Sequence, residues 1–129
     1  MNTLGNIIWI IFGGFIIAVA YFLSGLILLI TVIGIPFGLQ LIKIAGFALL
    51  PFGRKAVPSG AQPDFLSVIF NIIWLFIAGL SLALTHVVLA LIFALTIIGI
   101  PFALQHLKLA GLALTPFGYK IVEDKQYLQ

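Results

Sequence analysis

The chain has 129 residues, of which 64% are hydrophobic and 7% charged, with a formal net charge of +3. A soluble domain carries roughly 25% charged residues, and a fold this small leaves much of its surface exposed, so the apolar excess must face lipid. Three net charges without a clustered basic face exclude a nucleic-acid surface, and the lack of cysteine excludes disulfides, thiolate nucleophiles and cysteine metal sites.

The charges are segregated. Residues 1–42 and 65–107 contain no Asp, Glu, Lys or Arg. Each of these runs is longer than the roughly 20 residues a spanning helix needs. The first ten residues have no basic stretch and the apolar run is too long for a secretory signal, so the start reads as a retained first helix.

Asn6-Ile7-Ile8-Trp9 opens a unit that ends near Val57, and Asn71-Ile72-Ile73-Trp74 opens its copy, which ends near Val122. The offset is 65 without a gap, and 26 of the 52 aligned pairs are identical. Inside the first unit, one straight helix over the 30 residues from Leu4 would be roughly 45 Å long, against a hydrocarbon core of roughly 30 Å. Ser24-Gly25 offers a turn. It predicts a helix over Leu4–Leu23 and a second over Leu26–Leu50. The second contains Gly34-Ile35-Pro36, where proline lacks an N–H and clashes with the preceding turn, so a break is expected there. Thr31 is placed to bond the carbonyl groups that the break frees. Pro51 ends the helix and Gly53 suits the turn beyond it.

Residues 58–67 follow as a linker, with a turn signalled by Pro58-Ser59-Gly60 and Pro63-Asp64. The second unit, residues 68–122, repeats the plan with helices over Val68–Thr85 and Val87–Thr115, a turn at Thr85-His86, and a break at Gly99-Ile100-Pro101. Residues 123–129 form a polar tail. The expected architecture is an all-α integral membrane protein built as a tandem repeat of two helical hairpins. It has about four transmembrane helices, and the second helix of each hairpin is broken at Gly-Ile-Pro. An alternative remains open: Phe37–Leu50 could lie in the interface as an amphipathic helix, each unit crossing once and the two units inverted. The hairpin plan is favoured because it keeps the basic residues on one side. It places both termini in the cytoplasm and relates the repeats by an axis along the membrane normal.

The segment Ile33-Gly34-Ile35-Pro36-Phe37-Gly38-Leu39-Gln40, with Lys43 and Leu49-Leu50-Pro51-Phe52-Gly53, resembles the signature of the YccF family. Asn71-Ile72-Ile73-Trp74 and Ile98-Gly99-Ile100-Pro101-Phe102 carry the same resemblance in the second copy. It covers essentially the whole chain and implies a small bacterial inner-membrane protein, multi-pass, with no settled substrate or reaction. Arg54 against Tyr119 marks a departure between the copies.

Lys43 and Lys108 each precede the end of their helix by seven residues, roughly 10 Å along the axis. A charge at that depth either snorkels to headgroups or faces water or a partner. Gln40 and Gln105 share a face with them, and His106 stands beside Gln105. This polar face reads either as glue between helices or as the lining of a path in an oligomer, where the lysines would form a positive ring. Gly34, Pro36, Gly99 and Pro101 shape packing or present backbone groups to ions. Asn6 and Asn71 are candidate helix caps, Trp9 and Trp74 interface anchors, and Gly13, Gly14, Gly79, Gly46 and Gly111 packing positions. His86 reads as polar turn chemistry. Two histidines without carboxylates make neither a metal site nor an acid–base pair. No catalytic residue, cofactor or metal is therefore expected. The reading carried forward is an oligomeric pore or ion-channel component, with membrane lipid, copies of the chain and inorganic ions as partners. The alternative is a structural or partner-binding scaffold.

Overall fold

A computed structural model describes residues 2–59 and 65–123. The predicted turn at Gly60 and Pro63-Asp64 and the polar tail beyond Glu123 lie outside the described residues. By compactness the chain divides into two units, residues 1–55 with 121–129, and residues 56–120.

The first unit begins with α1 (Asn2–Trp9), one wide π turn (Ile10–Gly14) and α2 (Phe15–Ile30), together an apolar helical run of 29 residues kinked at Phe12 and Gly13. After a tight turn at residues 31–34, α3 (Ile35–Leu49) packs back along it. The second unit repeats this with α4 (Phe65–Trp74), a π turn (Leu75–Gly79), α5 (Leu80–Ala94) and α6 (Ile100–Leu114). Its long helix has 30 residues. The described chain is mostly helical but not all-α. Two five-residue strands, β1 (Arg54–Pro58) and β2 (Tyr119–Glu123), pair in a two-stranded sheet. Each follows a Pro-Phe-Gly turn whose glycine has positive φ, 81° at Gly53 and 91° at Gly118. That conformation is open to glycine at little steric cost, and it turns the chain out of the helix.

The expected helix boundaries need correction. No turn occurs at Ser24-Gly25 or at Thr85-His86, because α2 and α5 run through both. The break at Gly34-Ile35-Pro36 is not a kink inside a second helix. Gly34 is the N-cap of α3 and Pro36 lies in its first turn, as Gly99 and Pro101 do for α6. Proline fits there because the first N–H groups of a helix have no partner within it. The Thr31 hydroxyl donates to the Leu28 carbonyl at 2.9 Å and accepts from the Gly34 N–H at 3.0 Å, joining the end of one helix to the start of the next. Thr96 does the same with Phe93 and Gly99.

Gly25 is a contact rather than a turn. A Cβ on Gly25 would lie 2.9 Å from the Gly38 carbonyl oxygen, and one on Gly38 would lie 2.7 Å from that of Gly25. The backbones of α2 and α3 therefore touch there, as small residues allow between membrane helices. At the corresponding positions the second unit has Ala90 and Ala103, both buried.

Candidate functional site

The Asn-x-x-Trp motif locks each hairpin shut. In the first unit the Asn6 side chain donates to the Phe52 carbonyl at 3.1 Å and accepts from the Phe52 N–H at 2.9 Å. The Trp9 indole N–H donates to the Ala48 carbonyl at 2.6 Å. The second unit repeats all three bonds with Asn71, Phe117, Trp74 and Ala113 at 3.0, 2.9 and 2.6 Å. The physical need is plain: the last four carbonyls of α3 and α6 have no partner within their own helix. Asn6 and Trp9 are thus neither a helix cap nor an interface anchor. They hold the end of the short helix against the start of the long one, so both ends of a hairpin lie together.

The π turn belongs to the same device. The Trp9 indole occupies the space a Cβ on Gly14 would need, and a Cβ on Gly79 would lie 2.7 Å from Cδ1 of Trp74. In the first unit Gly13 adopts φ 125° beside it. The second unit has Ala78 at that position, and no residue there takes positive φ.

The candidate polar residues fall in different places. Gln105 and His106 are buried, and Gln40, Lys43 and Lys108 are partly buried. The Gln105 Nε2 donates to the Pro101 carbonyl at 3.2 Å, one turn back on its own helix. Among the described residues, the Oε1 atoms of Gln40 and Gln105 are buried without a hydrogen-bond partner. His106 points to α5, where its Nδ1 lies 3.0 Å from Nδ1 of His86. Both imidazoles are nearly sealed, 2% and 3% exposed, and the Phe93 ring stacks on His106 at 5.4 Å. Sequence reasoning missed this pair because it set His86 at a turn. In the first unit Tyr21 and Leu41 occupy the matching positions, both buried.

Outside the helices, Arg54 donates to the Gly46 carbonyl at 3.2 Å and lies over the Phe47 ring. Burial lowers its pKa from the ordinary value, and Glu123 acts in the opposite direction. Among the described residues no group of three or more His, Asp or Glu converges as a metal site.

The histidine pair has a chemical consequence. An N–H···N bond between two imidazoles needs one nitrogen to donate and the other to remain unprotonated. His106→Leu alone leaves His86 facing an apolar side chain in place of its 3.0 Å partner, a loss of about 1–3 kcal/mol for a buried polar group. The double change His86→Tyr with His106→Leu, which installs the first unit's residues, will recover most of that loss in a detergent unfolding titration. A double variant no more stable than His106→Leu would show that the two positions do not act as a pair.

The model of the YccF inner membrane component domain matches this chain twice, over residues 4–54 and 69–119. Inner membrane protein YccF of Escherichia coli K12 is 28% identical over 130 aligned positions, covering 95% of this chain and 88% of the relative. Inner membrane protein YccF of Shigella flexneri gives the same figures. No solved structure matches the chain.

Proposed function

Because the chain belongs to the YccF family of inner membrane component domains, we propose that it is an integral inner-membrane protein acting as a structural, partner-binding component of the bilayer. Its two hairpins insert from the cytoplasmic face. The long helical runs, 29 and 30 residues, present Ile, Leu, Val and Phe outward, which suits lipid. The closure of each hairpin by Asn and Trp keeps its two ends on one side. Arg54, Lys55 and Lys120 stand at those ends, in accord with the excess of basic residues in cytoplasmic segments.

The observation that carries the scaffold reading is the direction of Gln105 and His106. A pore lining must present polar groups to a path, whereas these two are turned into the protein. A second reading, an oligomeric pore for inorganic ions, has its own support. Lys43 and Lys108 recur at the same depth in both repeats, and the buried Oε1 atoms of Gln40 and Gln105 offer acceptors.

Ion flux into liposomes containing the purified protein separates the two readings. The scaffold reading expects no flux above that of empty liposomes at any ionic condition. Flux that falls with Lys43→Ala plus Lys108→Ala would overturn it in favour of the pore.

A further inference from the structure

The turns that join the helices are made of the wrong residues for water. Turns in water draw on Gly, Pro, Asn, Asp and Ser. Here the tips are Val32-Ile33 and Ile97-Ile98, and all four side chains are between 84 and 86% exposed. Ile30 and Leu95 beside them are equally open, at 84 and 85%. Both copies place their most exposed large apolar side chains at the one point where a hairpin crossing the membrane would emerge.

The return helix is also short. α3 and α6 have 15 residues each, about 22 Å at 1.5 Å per residue, against about 30 Å of hydrocarbon. With their C-terminal ends held beside Asn6 and Asn71, these helices end before the far interface.

The usual bar to a turn in lipid is unsatisfied backbone. These turns carry much of their own answer. Each threonine hydroxyl is engaged on both its donor and its acceptor side. The Ile35 N–H donates to Val32 and the Gly38 N–H to Gly34, at 3.4 and 2.7 Å. Ile100 and Ala103 do the same with Ile97 and Gly99 at 3.3 and 2.9 Å.

We propose that both hairpins are re-entrant, with the tips Val32-Ile33 and Ile97-Ile98 covered by lipid acyl chains in the outer half of the bilayer rather than by periplasmic water. This rests on the membrane reading above. It replaces four crossings by two wedges entering from the cytoplasmic face. Acyl chains are the occupant because the tips are continuous with the apolar outer face of α2 and α5 and offer no charged or hydrogen-bonding side chain to a protein partner.

Single-cysteine labelling in intact cells and in permeabilised membranes tests it cleanly, since the chain has no cysteine of its own. Val32→Cys and Ile97→Cys will resist a water-soluble maleimide from both sides and react once the membrane is dissolved in detergent. Ser59→Cys will react only after the inner membrane is opened. Reaction of residues 32 and 97 from outside would overturn re-entry while leaving membrane insertion standing. Reaction of all three from the cytoplasmic side without detergent would overturn insertion itself. Ile33→Lys and Ile98→Lys give a second reading. A lysine held in hydrocarbon will cut the inserted fraction roughly a hundredfold, and unchanged insertion would place the tip in water.

Discussion

Trp74→Ala will destabilise the second hairpin by about 3–5 kcal/mol, read as the shift of its unfolding transition in a detergent titration. Two losses add. The first is packing: Trp74 is among the largest fully buried side chains, and helices in lipid are held by packing rather than by the hydrophobic effect. The second is the bond at 2.6 Å to the Ala113 carbonyl, which lies in the last turn of α6 and has no helical partner. Trp74→Phe separates the two. It keeps most of the volume and removes the donor, so it costs about 1–3 kcal/mol for the orphaned acceptor. The glycine beneath the ring supplies an internal check. Gly79→Ala alone forces its methyl against Cδ1 of Trp74 and, at 3.0 Å, against the Leu114 carbonyl oxygen. In the Trp74→Ala background the first obstacle is gone. The two substitutions will therefore couple by about 0.5–3 kcal/mol. Strict additivity would mean the indole does not sit over that glycine. Trp9→Ala with Gly14→Ala repeats the experiment in the first unit.

The membrane class was legible from composition, and the family model's two matches stand 65 residues apart, the offset at which the sequence repeats. The hairpin register was not legible. A 30-residue apolar run looked too long for one helix, and Gly25 looked like the place to divide it. The second copy carried the opposing signal, since Leu89-Ala90 stands where Ser24-Gly25 does and no turn residue is present. What both copies share is Thr-x-x-Gly-Ile-Pro, a helix-start pattern with proline in the first turn. The misplaced turn hid the rest. With His86 set at a tip, its bond to His106 could not be seen. Asn6 and Trp9 were read locally because their partners are backbone groups 46 and 39 residues away, and nothing in an Ala48 or Phe52 side chain announces such a role. The recurrence of Asn-x-x-Trp together with Pro-Phe-Gly was the available clue that the two motifs meet. The candidate polar residues were legible as residues, whereas their direction depended on the register.

Gly38→Leu will destabilise the first hairpin by about 3 kcal/mol, toward the upper end of overpacking costs. The reason is the identity of what the new side chain meets. Its Cβ would already lie 2.7 Å from the Gly25 carbonyl oxygen and 3.1 Å from the Leu29 side chain. A flexible side chain can move aside, but a helical carbonyl moves only with its helix. Gly38→Ala meets the same obstacle with one methyl and costs about 1–2 kcal/mol. In the second unit Ala90 and Ala103 stand at the matching positions, both buried, so that hairpin is built with a methyl on each side. Once α2 and α3 separate for one methyl, a second enters at little further cost. The double change Gly25→Ala with Gly38→Ala will therefore destabilise by less than the sum of the two single changes. Measured by the same detergent titration, a double cost equal to that sum would show that the two glycines do not share one contact. The close approach of the α2 and α3 backbones would then need another cause.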